Sequence, residues 1–177
     1  KSMNALNTAL QETAAQETVL SLPKQLKAQL PLSYAHAQQI AEQRKIIQNI
    51  LEGKDKRLMV IIGPCSIHDT ASALDYAEKL KQIQTQVSDQ IFLVMRAYIE
   101  KPRTTVGWKG FLYDPNLDGS ADMQLGLEKS RELYLQIIEM GLPIASEILS
   151  PMATAYFDDL LAWGAIGART SESQIHR

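Results

Sequence analysis

The sequence predicts an α/β protein built on a parallel sheet, and three observations lead to this prediction. Four short apolar runs are spaced along the chain, longer segments with helical periodicity separate them, and capping residues and glycines stand at the junctions. A helix between consecutive strands returns the chain to the start of the sheet, which makes the strands parallel. Four such units fit a small open sheet or half of an eight-stranded β/α barrel, which typically needs about 250 residues.

The first elements are an amphipathic helix and an apolar strand. From Ser33, a suitable N-cap, the segment 34–52 has helical periodicity and ends at Gly53, a good residue for a helix C-terminus. Its apolar positions are Ile40, Ile47 and Leu51. The run 58–62 is continuously apolar, as is typical of a strand covered on both faces. Residues 1–20 are polar, and we expect them to be loosely ordered.

A second helix, a second strand and a long loop follow. The helix is predicted over 71–87, with Asp69 or Thr70 as its N-cap, and the strand over 91–95. The apolar positions of the helix are Leu74, Ala77, Leu80 and Ile83. The region 97–121 contains several Pro and Gly residues and is long for a connection inside a compact domain. Loops of this length are usually functional.

The remaining residues repeat the order of helix and strand. We predict a third helix from about 122 to 140, a strand over 143–148, a fourth helix from Ser150 to Gly164, and a strand over 165–169. The apolar faces of these helices comprise Met123, Leu127, Ile137 and Ile138 in the third, and Tyr156, Phe157, Leu160 and Leu161 in the fourth. Residues 171–174 form a capping box that would open another helix, so we expect a barrel that has been cut. In this interpretation 1–54 is an N-terminal extension and 55–177 is the first half of the barrel.

The composition excludes several classes of protein. Hydrophobic residues make up 45% of the 177 residues and charged residues 21%, which is typical of a folded domain rather than a disordered chain. The net charge of −2 argues against a surface built for nucleic acid. No apolar run is long enough to cross a membrane, and a single cysteine forms no internal disulfide. We expect a cytoplasmic protein that binds neither nucleic acid nor membranes.

Residues with chemical function follow the predicted strands, at the edge of a parallel α/β sheet where binding sites lie. They are Cys65 and His68 after the first strand, Arg96 at the end of the second, Glu147 near the end of the third, and Arg169 at the end of the fourth. The segment 96–110 holds four cationic residues against one acidic residue. Because arginine and lysine suit phosphate and carboxylate groups, this segment predicts a small phosphorylated ligand.

Each of these features also has a simpler interpretation. The cationic segment could be a solvated loop with incidental charges, and Arg169 could form an internal ion pair with Glu147. Cys65 is either an inert buried residue or a thiolate that binds metal. A Cys65–His68 pair alone is a weak metal signal. Both tryptophans are expected to serve packing.

Several motifs resemble those of class I DAHP synthases, the 3-deoxy-D-arabino-heptulosonate 7-phosphate synthases of the shikimate pathway. These motifs are Gly63-Pro-Cys-Ser-Ile-His-Asp69, Met95-Arg96, Glu100-Lys-Pro-Arg-Thr-Thr-Val-Gly-Trp-Lys-Gly110, Trp163-Gly-Ala-Ile-Gly-Ala-Arg-Thr170, Glu172-Ser-Gln and His176-Arg177. The resemblance runs from about residue 25 to the last residue. It implies a (β/α)₈ barrel with an N-terminal extension, of which this chain supplies about four units.

The resemblance also implies an activity and the residues that serve it. The family joins phosphoenolpyruvate to erythrose 4-phosphate in an aldol-like condensation, releases phosphate, and uses a divalent metal ion such as Mn, Fe, Co or Zn. By this resemblance Cys65 is a metal ligand, Arg96 and Lys101 are catalytic, Arg96, Lys101 and Arg169 contact phosphoenolpyruvate, Glu147 lies at its pocket, and Lys101, Pro102, Arg103 and Thr104 bind erythrose 4-phosphate. The other three metal ligands, a His, a Glu and an Asp, would lie beyond Arg177, so we expect the 177 residues alone to be inactive.

The resemblance implies partners as well, and two rival interpretations stay open. The family is inhibited by aromatic amino acids and forms homo-oligomers, and the segment 25–33 favours tyrosine as the effector. The first rival is a half-barrel binding or regulatory module without catalysis. The second is a related octulosonate 8-phosphate synthase, against which the run 101–108 argues.

Overall fold

The computed structural model describes residues 19–101 and 107–166. The predicted loose start, Pro102, Arg103 and Thr104, and the whole segment that contains Arg169 and the capping box lie outside these ranges, apart from residues 19 and 20. The described elements are α1 (Pro23–Gln29), α2 (Tyr34–Leu51), β1 (Leu58–Ile62), α3 (Thr70–Val87), β2 (Ile91–Arg96), α4 (Met123–Glu139), β3 (Ile144–Ile148), α5 (Pro151–Phe157) and β4 (Trp163–Ile166). None of these helices combines the length and the apolar content that a membrane crossing requires.

The four strands form one parallel sheet in the order β1-β2-β3-β4, which confirms the predicted α/β topology. Leu58 pairs with Ile91, Met95 with Ile144, and Ala145 with Trp163. Because all strands run the same way, their carboxyl ends lie along one edge of the sheet. The described chain is therefore a four-stranded half-barrel with helices.

Helices pack against both faces of this sheet around β2. Alternate residues of β2 point to opposite faces, so Phe92 and Val94 pack with Ile47 of α2, whereas Leu93 and Met95 pack into the larger core. The larger core includes buried residues of α3, α4 and α5: Ala77, Leu80, Leu127, Tyr134, Ile137, Ile138, Tyr156 and Phe157. The middle of the sheet at β2 therefore has apolar side chains packed against both of its faces.

The predicted N-caps at Ser33 and Asp69 are confirmed, because the signals are local. Asp69 accepts a hydrogen bond from the Ser72 N–H at the start of α3, and Asp122 accepts one from the Leu125 N–H at the start of α4. Ser33 caps α2 in the same way. Each cap satisfies an N–H group that has no partner within its helix.

The predicted boundary between the last helix and the last strand is wrong. The helix α5 ends at Phe157 rather than Gly164, and β4 begins at Trp163 rather than residue 165. Gly164 is a strand residue paired with Ser146, where a Cβ atom would lie 2.7 Å from the Ile148 side chain. Close packing between strands therefore explains this glycine better than a helix end does.

Two other expectations also need correction. Leu58, Ile61 and Ile62 are exposed, so β1 is not covered on both faces within the described residues. Leu51 and Ile83 are exposed although each lies on a predicted apolar face. The short helix α1 was not predicted, because seven residues with one buried side chain, Leu26, give no helical period to detect.

Candidate functional site

The segments that follow β1 and β2 meet at the carboxyl end of the sheet. A Cβ atom on Gly63 would lie 2.2 Å from the Arg96 carbonyl oxygen, so only glycine permits this close approach. The Arg96 Nη2 group donates to the Cys65 carbonyl oxygen at 3.1 Å, and the Ile67 N–H donates to the Tyr98 carbonyl at 2.8 Å. The structure therefore brings two of the predicted site residues, Cys65 and Arg96, together.

The guanidinium of Arg96 is held in a defined place. Its Cζ atom lies 3.7 Å from the centre of the Tyr98 ring, which is a close cation–π stack. Its Nε atom is buried and has no hydrogen-bond partner within the described residues. A buried donor without a partner is costly, so this N–H group would gain from an acceptor that the described residues do not supply.

Lys101 offers a second cation after the same strand. Its N–H donates to the Lys109 carbonyl at 3.0 Å, and its Nζ lies 5.5 Å from the centre of the Trp108 ring. The Trp108 indole N–H in turn donates to the Asp114 carbonyl at 2.9 Å. Lys101 forms no ion pair within residues 19–101 and 107–166. Its charge is available to a ligand, and Trp108 has a second contact besides packing.

The thiol of Cys65 is free and exposed, as a metal ligand or a reactive group requires. This exposure argues against the interpretation of Cys65 as an inert buried residue. In the part of the chain that the structure describes, no three His, Cys, Asp or Glu side chains form a group that could hold a metal ion. These residues therefore do not make a complete metal site, and the assignment of Cys65 as a ligand stays a prediction.

Glu147 is half-buried near the end of β3, opposite Ala165 of β4. Burial is the main cause of the raised pKa of Glu100, and the charge of Glu147 adds to it. The predicted partner of Glu147, Arg169, lies outside the described residues, so their ion pair stays untested.

Glu100 is a buried acid beside Lys101 that residue type and spacing do not single out. Its side chain is only 6% exposed, accepts a hydrogen bond from the Tyr113 hydroxyl at 2.7 Å, and accepts a weak one from the Leu149 N–H at 3.4 Å. Burial raises the pKa of Glu100 above its ordinary value, and burial also raises the pKa of Tyr113. The hydrogen-bond partners of Glu100 lie 13 and 49 positions away in the sequence, so no local spacing identifies this residue.

Comparison with known proteins identifies the family. Residues 29–177 match the model of the DAHP synthetase I family. The chain belongs to this family. It is 55% identical over 161 residues to the Tyr-sensitive phospho-2-dehydro-3-deoxyheptonate aldolase of Escherichia coli (strain K12), and the match covers 91% of this chain and 45% of that protein. The Trp-sensitive enzyme of the same strain is 48% identical over 165 residues, with 93% and 47% covered.

A solved structure of a protein with the same name has the fold described above for this chain. Phospho-2-dehydro-3-deoxyheptonate aldolase from Francisella tularensis SCHU S4 superposes with a TM-score of 0.85 at 46% identity, and the match covers 92% of this chain and 48% of that chain. The chain thus spans about half the length of the family members it matches. The family and the half-barrel predicted from the sequence are both confirmed.

Proposed function

We propose that the complete protein encoded by this gene is a DAHP synthase. It would join phosphoenolpyruvate and erythrose 4-phosphate to give 3-deoxy-D-arabino-heptulosonate 7-phosphate and inorganic phosphate. Membership of the DAHP synthetase I family supports this reaction, as do relatives named phospho-2-dehydro-3-deoxyheptonate aldolase at 48% to 55% identity. Because the chain spans less than half of these relatives, the activity is proposed for the whole protein.

The arrangement of Arg96 is the observation that carries the proposal. The side chain is stacked on Tyr98 and bonded to the Cys65 carbonyl, and it keeps a buried N–H group without a partner in the described residues. Lys101, five positions further on, adds a second cation with no ion pair there. Two phosphorylated substrates repel each other, so cationic side chains are needed to hold both close enough to react.

The roles proposed for single residues are those that the family resemblance implies. Arg96 and Lys101 are the catalytic pair and contact phosphoenolpyruvate together with Arg169, and Glu147 lies at its pocket. Lys101, Pro102, Arg103 and Thr104 form the erythrose 4-phosphate site. The close contact between Arg96 and Cys65 supports a site at the shared end of β1 and β2.

A divalent metal ion, one of Mn, Fe, Co or Zn, belongs to this proposal, with Cys65 as one ligand. When bound, such an ion would polarise the aldehyde of erythrose 4-phosphate. A single thiolate does not hold an ion in a closed site. Because the described residues supply no group of three ligands, we assign no step of the reaction to the ion.

Regulation and assembly complete the proposal. The relatives are named Tyr-sensitive at 55% identity and Trp-sensitive at 48% identity. We therefore propose that an aromatic amino acid inhibits this protein, with tyrosine as the first candidate. We also propose a homo-oligomer, as expected from the family resemblance.

The activity is tested with the complete protein, both substrates and a divalent metal ion. Loss of the enol absorbance of phosphoenolpyruvate, together with release of inorganic phosphate, is the expected result. Arabinose 5-phosphate replaces erythrose 4-phosphate in the control, and it should support little turnover. Faster turnover of arabinose 5-phosphate would instead identify an octulosonate 8-phosphate synthase. A polypeptide of these 177 residues alone is expected to form no product, and product from it would contradict the need for further ligands.

A further inference from the structure

Glu100 is a buried carboxyl group next to the proposed site. It lies beside Lys101 in the sequence, yet it forms no ion pair with any described residue. Its partners are instead the Tyr113 hydroxyl and the Leu149 N–H. A buried acidic group without a counter-charge is costly, so stability alone does not explain why Glu100 lies here.

The contacts of Glu100 join two segments that follow neighbouring strands. Tyr113 belongs to the long loop after β2, and Leu149 follows β3 directly. The carboxyl group bridges the two, with the strong bond to Tyr113 and the weaker one to the peptide N–H. Glu100 therefore links the start of the loop after β2 to the segment after β3.

The backbone on either side of Glu100 is enclosed as well. The Lys101 N–H donates to the Lys109 carbonyl at 3.0 Å, and the Leu112 N–H donates to the Ile99 carbonyl at 3.0 Å. Gly110, with a φ of +114°, packs so closely that a Cβ atom there would lie 2.9 Å from the Glu100 Cα and 2.9 Å from the Lys101 nitrogen. The backbone of Lys101 is thus fixed, while its Nζ extends toward Trp108.

We propose that Glu100 is a positioning residue for Lys101. Through Tyr113 and Leu149 its carboxyl group holds the backbone from which Lys101 reaches an anionic substrate. No ion pair joins the two side chains, so the acid positions its neighbour without neutralising it. This inference rests on the proposed function, because its effect is measured through the substrate that Lys101 binds.

The test compares variants of the complete protein in steady-state kinetics with phosphoenolpyruvate as the varied substrate. E100A removes the carboxyl group, E100Q keeps an oxygen that can accept from Tyr113, and Y113F removes only the hydroxyl. E132A is the matched control, because Glu132 is an exposed acid on α4. Thermal unfolding of each variant is measured in parallel.

The proposal predicts that the KM for phosphoenolpyruvate rises about tenfold in E100A, the scale of one lost hydrogen-bonded anchor. The KM should rise by about threefold or more in Y113F and should stay within about threefold of the wild-type value in E100Q. The KM of E132A should equal that of the wild type. A merely structural role would lower the melting temperature and the active fraction but leave KM at the wild-type value. If E100A does not fold, Y113F and E100Q carry the comparison.

Two outcomes overturn the proposal, and they can be told apart. An active wild type with unchanged KM in E100A and Y113F would refute the role of Glu100 alone. A wild type that forms no product with both substrates and metal would refute the proposed function and, with it, this inference.

Discussion

Among single residues, Tyr98 determines where the Arg96 guanidinium lies, because its ring supports the cation at 3.7 Å. Cation–π contacts contribute about 0.5–2 kcal/mol, depending on how well they are shielded from water. Y98F keeps the ring, whereas Y98L removes it and keeps an apolar side chain. We predict that Y98L raises the KM for phosphoenolpyruvate about fivefold in the complete protein and that Y98F stays within about twofold. Equal KM values for the two variants would show that the stack does not orient Arg96.

The contrast between Arg96 and Glu100 shows what single residues reveal in a sequence. Arg96 could be predicted as a ligand-binding residue because it ends a predicted strand and begins a segment with four cationic residues against one acidic residue. Glu100 could not, because it reads as one acid in a charged loop until Tyr113 and Leu149 are seen around it. Long-range contacts, rather than residue type, distinguish the two.

At the scale of elements, Arg131 ties the N-terminal segment to α4 and α5. The side chain is completely buried, makes a two-pronged ion pair with Asp159 at 2.8 and 2.9 Å, and donates to the Leu30 carbonyl at 2.7 Å and the Tyr156 carbonyl at 3.1 Å. Burial alone would raise the pKa of Asp159, but the hydrogen bonds and charge of Arg131 hold that pKa below its ordinary value.

We predict that D159N lowers the free energy of unfolding by about 3 kcal/mol at neutral pH, because it leaves the Arg131 charge buried without its partner. K79A is the control: its exposed ion pair with Asp75 should contribute less than about 0.5 kcal/mol. Urea unfolding measures both variants. If D159N lowers the free energy of unfolding by no more than K79A does, the prediction is contradicted.

The contribution of the Arg131–Asp159 ion pair to stability should depend on pH in a known direction. The folded-state pKa of Asp159 is lowered, so its contribution to stability is present above the ordinary value of 3.8 and is lost as pH falls through the folded pKa. The difference between wild type and D159N should therefore shrink in acid. A difference that stays constant from neutral pH down to about pH 3 would show that ionised Asp159 is not its source.

Some helix and strand boundaries are determined by hydrogen bonds to residues nearby in the sequence, and others by packing against a distant residue. Asp69 and Asp122 bond to N–H groups three residues ahead, so both helix starts could be predicted from the sequence. Gly164 was misjudged because it lies in β4 and packs against the Ile148 side chain of the neighbouring strand, a contact that local sequence does not reveal. A glycine after a helix and a glycine under a side chain look the same in sequence.

At the scale of the whole molecule, the alternation of strand and helix was sufficient to predict the parallel sheet and therefore the edge where Arg96 and Cys65 meet. The order of strands also explains why the Glu100 carboxyl group accepts a hydrogen bond from the segment after β3, since β2 and β3 are neighbours. A metal site could not be derived in this way. Among residues 19–101 and 107–166 only scattered candidate ligands are present, and topology alone does not group them.

The role of Arg96 is decided by the kcat/KM of R96A for phosphoenolpyruvate, measured in the complete protein with erythrose 4-phosphate saturating. We predict a loss of about a hundredfold, because the charge-assisted hydrogen bonds from Arg96 to the substrate disappear. K81A, which removes an exposed charge on α3, should keep the wild-type value. An R96A enzyme as efficient as K81A would contradict the claim that this side chain binds the phosphorylated substrate.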